Sequence, residues 1–135
     1  MDHDLWGDDD KMYGGVGDGT KRQAFFAGDG DDLIVMGDNW AYGRAYGYTG
    51  DDTIYLGDGI TTVNFAGGEG NDKIYGTPFD EVVTPATNEV GFGNAGNDLI
   101  YGSHKVITGS FIGGGPGDDK IIGGDENIAP TSLVG

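Results

Sequence analysis

The sequence predicts an all-β fold, a parallel β-solenoid of about six coils with roughly 20 residues per coil. Three observations predict it. An aspartate recurs in constant company: GDGDDLIV (28 to 35), YTGDDTIY (48 to 55), GGEGNDKIY (67 to 75), GNAGNDLIY (93 to 101) and GGPGDDKII (114 to 122), with a degenerate copy, GDDDKMY, at 7 to 13. The second acid of each pair is Asp10, Asp32, Asp52, Asp72, Asp98 or Asp119, and the steps between them are 22, 20, 20, 26 and 21 residues. A fixed period of this size marks coils that stack on one another. Glycine supplies 29 of 135 residues and hydrophobic residues only 36%, which suits a thin core shared between coils rather than a thick globular one. No glycine-free stretch shows an apolar period of 3.6, so helices are not expected.

Each element follows from the repeat. A glycine turn reverses the chain, because glycine reaches positive φ without steric cost. The acidic pair comes next, then a short strand: Leu33-Ile34-Val35, Thr53-Ile54-Tyr55, Lys73-Ile74-Tyr75, Leu99-Ile100-Tyr101 and Lys120-Ile121-Ile122. Strand alternation sends Met12, Ile34, Ile54, Ile74, Ile100 and Ile121 to one face as an interior aliphatic ladder. A second turn follows, at Gly37-Asp38-Asn39, Gly57-Asp58-Gly59, Gly76-Thr77-Pro78, Gly102-Ser103-His104 and Gly123-Gly124-Asp125. A second strand returns through Ala24-Phe25-Phe26, Ala45-Tyr46, Val63-Asn64-Phe65, Val90-Gly91-Phe92 and Ser110-Phe111-Ile112. The long step from Asp72 to Asp98 predicts a loop around Pro78 to Asn88. Residues 1–126 read as one repeat domain and 127–135, which lose the pattern, as a C-terminal tail, cap remnant or linker.

Charge narrows the partners. The formal net charge is -16, from 23 acids against 7 Lys plus Arg, so nucleic acid and anionic membranes are poor partners and cations natural ones. With no cysteine there is no disulfide or thiolate metal site. A small domain without disulfides needs another staple, and a metal ion is one. No apolar run is long enough to span a bilayer, and the first residues, MDHDLWGDDD, do not read as a signal peptide of the usual kind.

The repeat resembles the RTX (repeats-in-toxin, hemolysin-type) calcium-binding nonapeptides, G-G-x-G-x-D-x-U-x with U aliphatic. Residues 67 to 75 and 114 to 122 match at every fixed position; 28 to 36, 47 to 55 and 93 to 101 match apart from glycine positions. The resemblance implies a calcium-stapled β-roll in which turn carbonyls of one coil and the aspartate of a neighbour share each ion. The residues it implicates are Asp10, Gly28, Gly30, Asp32, Gly47, Gly50, Asp52, Gly67, Glu69, Asp72, Gly93, Ala95, Asp98, Gly114, Pro116 and Asp119. Weaker candidates on the second edge are Asp18, Asp38, Asp58 and Asp125, with few or no ions expected at the Thr77 and Ser103 coils. Asp8 and Tyr48 stand where the motif has glycines, which puts occupancy there in question.

The physics points the same way. Ca²⁺ takes six to eight oxygen ligands from carboxylates and carbonyls. Stacked carboxylates about 4.8 Å apart repel by about 3–4 kcal/mol at an effective dielectric near 20, against a typical domain stability of about 5–15 kcal/mol. About five gaps between coils give about five or more ions, which would bring -16 to roughly -6.

Other features have plainer readings. Tyr13, Tyr55, Tyr75 and Tyr101 form an outward ladder that could bind a sugar, a surface or a sister molecule, but ordinary cross-strand packing accounts for it more simply. Trp6 and Trp40 suit local packing, and His3 and His104 lack zinc-site spacing. Every acid sits in a repeat, so calcium explains them better than glycosidase chemistry, and no nucleophile motif is present; no enzyme activity is expected. The expected function is a calcium-binding, calcium-folded structural module of a secreted or cell-surface protein, such as an adhesin, surface layer or fibre, able to stack end to end with other copies of itself. The alternatives are a non-catalytic accessory domain of a secreted protease, lipase or polysaccharide-modifying enzyme, and, below it, an ice-binding solenoid.

Overall fold

The computed structural model describes residues 2–4, 7–76, 88–102, 110–122 and 131–134. All regular structure among them is strand, in two parallel sheets. The larger contains β1 (Asp2–Asp4), β3 (Arg22–Asp29), β5 (Tyr42–Thr49), β7 (Thr62–Glu69), β9 (Asn88–Ala95), β11 (Ser110–Gly113) and β13 (Thr131–Val134), in that order. The smaller runs β2 (Lys11–Tyr13), β4 (Leu33–Val35), β6 (Thr53–Tyr55), β8 (Lys73–Tyr75), β10 (Leu99–Tyr101) and β12 (Lys120–Ile122). A coil is therefore one long strand, a glycine turn, one short strand and a second turn. The short strands are those read from the sequence. The long ones extend further than expected: β3, β5, β7 and β9 have eight residues and run on into the glycine motif. Parallel pairing with the neighbouring coil satisfies their backbone groups, which removes any need to turn at the first glycine.

The core lies between the sheets. Ile34, Ile54, Ile74 and Ile100 are fully buried, with Met12 beside them and Ile121 partly buried at the end of the row. They face Phe25, Ala45, Phe65, Gly91 and Ile112, which share one register row of the larger sheet. Large and small residues alternate along that row. A Cβ on Gly91 would lie 1.9 Å from the Phe65 ring, so the ring occupies the space that Gly91 leaves. Interior packing at crystal-like density requires this complementarity. Trp40 packs at the second edge, as expected, and its Nε1–H donates to the Gly15 carbonyl at 2.9 Å.

One sequence reading is revised. Gly28 pairs with Tyr48 and Asp29 with Thr49, so the first good nonapeptide spans 27 to 35 rather than 28 to 36. Its first position is Ala27, where the following copies have Gly47, Gly67, Gly93 and Gly114. The stretch 127–135, read as a tail, cap remnant or linker, contains β13, which pairs with β11 in the register Leu133↔Ile112; backbone pairing extends the sheet where the motif has faded. The expected loop at Pro78 to Asn88 lies almost wholly outside the described residues, as do the Thr77 and Ser103 turns, Trp6, His104 and Asp125.

Candidate metal centre

The motif turns are built by glycines that touch backbone. Gly70 has φ +133°, and a Cβ there would stand 1.9 Å from the Gly50 carbonyl oxygen of the adjacent coil. Only a residue without a side chain permits that approach. Turn carbonyls are thereby held against the neighbouring turn. Thr49, Glu69, Ala95 and Pro116 each accept an amide N–H from the coil before, at 2.8–3.0 Å. A carbonyl oxygen has two lone pairs, so each retains one for a cation.

The second acid of each pair turns inward. Asp32, Asp52, Asp72 and Asp98 are buried, the middle two being only 1% exposed. Their Oδ1 atoms form a ladder. The Asp32 amide donates to Asp52 Oδ1 (2.8 Å), Asp52 to Asp72 (2.9 Å), Asp72 to Asp98 (2.9 Å) and Asp98 to Asp119 (3.0 Å). Asp10 begins the series by donating to Asp32 Oδ1 at 2.7 Å. The other oxygens have nothing: Oδ2 of Asp32, Asp52, Asp72, Asp98 and Asp119 is buried without a hydrogen-bond partner. A buried carboxylate oxygen left unpaired is costly, and five in a column require an explanation.

The surroundings of those oxygens match a cation. Asp72 Oδ2 lies 2.0 Å from where a Gly67 Cβ would stand, and Asp52 Oδ2 lies equally close to that of Gly47, which also faces the Gly67 carbonyl at 2.5 Å. Gly93 and Gly114 repeat the arrangement with Asp98 and Asp119. Each first glycine thus leaves a cradle beside an orphaned carboxylate oxygen, and the cradle of Asp52, like that of Asp98, also faces the next coil's carbonyl. Among the described residues no three His, Cys, Asp or Glu side chains converge on one point. The donor set at each level is one carboxylate plus backbone carbonyls, all hard oxygens, which suits Ca²⁺. Ala27 is the exception, since its methyl group occupies the first position beside Asp32.

Without a cation, burial disfavours the ionised form of the inner carboxyls. Burial pushes the Asp52 carboxyl up to about 6 and the Asp72 carboxyl up to about 7. The adjacent carboxylates contribute to that rise, while the amide bond to Oδ1 opposes it. Asp32 and Asp98 are raised as well, again chiefly by burial.

A second ladder was not anticipated. The first residue of each pair is exposed and bonds in the reverse direction. The Asp31 amide donates to Asp9 Oδ1, Asp51 to Asp31, Asn71 to Asp51, Asn97 to Asn71 and Asp118 to Asn97, at 2.8–2.9 Å. The sequence does carry the signal: this position alternates freely between Asp and Asn, whereas the next is always Asp.

The second edge is built differently. Asp18 Oδ1 accepts the Thr20 amide and hydroxyl at 3.0 and 2.6 Å, which holds its carboxyl below the usual range. Asp38 Oδ1 accepts the Asp58 amide at 2.8 Å, and Asp58 Oδ1 the Gly59 amide at 2.7 Å. Asp18 and Asp58 thus close their own turns, Asp38 bonds to the neighbouring coil, and all three lie exposed or half-buried. On the smaller sheet's outer face, Tyr55, Tyr75 and Tyr101 stack with centroids 5.0 and 5.6 Å apart and planes within 16°. Their faces cover one another, and Val35 separates them from Tyr13.

The family profile of the RTX calcium-binding nonapeptide repeat matches this chain in four copies, at residues 37–63, 64–78, 86–104 and 111–127, more than half of its length. The matched stretches begin after the two copies that carry Asp8 and Ala27 at glycine positions. Searches of curated proteins and of solved structures find no match.

Proposed function

The chain belongs to the RTX calcium-binding nonapeptide repeat family, and from that premise we propose that calcium held along the inner aspartate column drives its folding. It is a calcium-binding repeat module in a β-roll. The observation that carries the finer reading is the column of buried, partnerless Oδ2 atoms beside glycine cradles. Asp52, Asp72, Asp98 and Asp119 would supply the carboxylates, and Gly67, Glu69, Ala95, Gly114 and Pro116 the carbonyls. Calcium supplies the positive charge that lets neighbouring carboxylates stack ionised. The chain's own residues do the rest: the amides fix Oδ1, the glycines keep the cradles open, and the isoleucine ladder excludes water. Because the sites span adjacent coils, the unfolded chain has none of them, and binding free energy becomes folding free energy.

The setting that suits such a device is extracellular, where calcium is abundant, and the role is a calcium-stiffened segment of a secreted or cell-surface protein. End-to-end stacking is supported by the open outer edges of β1 and β2 at one end and of β12 and β13 at the other, among the described strands. Far-UV circular dichroism in calcium and in chelator tests the reading. The expected result is a β spectrum with calcium and a largely disordered one without; a spectrum indifferent to chelation would overturn it. Sedimentation across calcium concentrations tests assembly, and a monomer throughout would remove that part.

A further inference from the structure

The outer face of the larger sheet carries a groove whose side chains calcium binding does not use, although the backbone of Gly67, Glu69 and Ala95 borders both groove and calcium sites. Its volume is about 670 Å³, within the ~300–1,000 Å³ range of small-molecule sites. Tyr46, Ala66 and Phe92 occupy one register row across β5, β7 and β9, and Tyr48, Gly68 and Asn94 occupy the next. The floor between the flanking strands thus bears nothing larger than a methyl group. Those strands are two spacings apart, about 9–10 Å, which leaves a slot one ring wide between their side chains. One wall is pre-set: Tyr46 and Tyr48 meet edge to face at 6.5 Å, and Phe26 backs them at 5.5 and 6.5 Å. Thr49 and Glu69 line the same groove with Asn94, supplying hydroxyl, carboxylate and amide.

Tyr48 is the telling residue. Its row demands a left-handed backbone, met by Gly28 (φ +113°), Gly68 (+121°), Gly115 (+103°) and Asn94 (+79°). Tyr48 adopts φ +86° with an aromatic side chain, and 40% of its surface stays exposed. A bulky residue is strained there, and such strain persists mainly where a site needs it. The fold would be served better by the motif's glycine.

The geometry points to a binding site for neutral pyranose rings in this groove. A sugar ring presents a C–H face to an aromatic wall and hydroxyls to acceptors and donors such as Glu69 and Asn94. The net charge of -16 disfavours phosphorylated or acidic ligands. The stacked Tyr55–Tyr75–Tyr101 ladder is the poorer platform, since both faces of its central ring are covered and no groove adjoins it among the sites described.

The test titrates the calcium-folded chain with cellohexaose, mannohexaose and a galactan hexasaccharide, by calorimetry and by the tyrosine resonances. At least one should bind and shift Tyr46 and Tyr48. Tyr48→Gly should keep the calcium-induced fold, with an equal or higher Tm, and weaken binding about tenfold or more. Ala66→Trp, which fills the slot from its floor, should abolish binding, and it decides the matter if Tyr48→Gly does not fold. The proposal is overturned if none of the three sugars binds at about 10 mM, a level that detects even millimolar affinity. It is overturned equally if the decisive variant binds like the parent, or if the parent dimerises through this face and Tyr48→Gly makes it monomeric.

Discussion

The two ladders on the motif edge are built from adjacent residues and do different things. The outer one joins exposed Asp9, Asp31, Asp51, Asn71, Asn97 and Asp118. It needs only an oxygen that accepts an amide N–H, and asparagine serves as well as aspartate. The inner one joins buried Asp32, Asp52, Asp72 and Asp98, with Asp119 at its end. Its Oδ1 atoms make the same kind of bond, so asparagine would satisfy that half of the task. What asparagine lacks is the second carboxylate oxygen, the atom left without a partner. The strict aspartate therefore reports a cation, while the interchangeable neighbour reports a hydrogen bond.

Substitutions can break this comparison at its sharpest point. Asp72→Asn keeps the Oδ1 acceptor and removes the anionic Oδ2. In calcium it should cost about 2–4 kcal/mol of unfolding free energy, since a buried charge pairing is lost. In chelator, where the parent is largely disordered, it should leave the residual β signal unchanged or raise it, because it removes a carboxylate that would be buried uncompensated. Asp51→Asn should change stability by less than about 0.5 kcal/mol in either condition. Equal effects of the two substitutions, read from denaturant melts in calcium, would refute the division of labour.

The glycine cradle gives the next effect. Gly67→Ala places a methyl group 2.0 Å from Asp72 Oδ2. It should remove at least one ion from the stoichiometry measured by calorimetry, at a cost of about 1–3 kcal/mol in calcium. An unchanged ion count would show that the cradle is not where calcium sits.

Acid should act on the column in a defined direction. The folded-state values of about 6 for Asp52 and about 7 for Asp72 lie above the ordinary 3.8. Protonated carboxyls are thus favoured in the calcium-free fold; that contribution is fully present below about pH 4 and is lost as pH rises through 6 to 7. Protons and calcium compete for the same oxygens, so calcium affinity should rise between pH 5.5 and 7.5. Dichroism in chelator should show more β structure at pH 4 than at pH 8. The reverse order, or a pH-independent calcium midpoint, would contradict the assignment. A smaller effect on calcium binding is expected of Ala27→Gly, which clears the first position beside Asp32 and should strengthen binding there by a few-fold or less, against about 1 kcal/mol lost to glycine's backbone entropy.

Much of this was legible in the sequence because the period repeats the same local chemistry. Ile34, Ile54, Ile74 and Ile100 could be placed inside from alternation alone, and the aspartate column from spacing. Four things were not read. The frame of the first copy was missed because Ala27 replaces its leading glycine, although the spacing of Asp32 and Ile34 already sets it at 27 to 35, and pairing with Gly47's strand makes it plain. The continuation of β3, β5, β7 and β9 into the motif was hidden because glycine signals a turn locally, while parallel neighbours keep the backbone extended. The groove beside Tyr48 depends on which residues meet across three strands, and a single repeat does not contain it. Thr131–Val134 pairs through its backbone where the motif no longer repeats.

The most direct measurement is anomalous diffraction from crystals grown in calcium. Ions should appear beside Oδ2 of Asp52, Asp72, Asp98 and Asp119, with weaker density at Asp32 next to Ala27. Ions confined to the exposed Asp51–Asn71 ladder or to the Asp38–Asp58 edge, with the inner oxygens still unpartnered, would contradict the account.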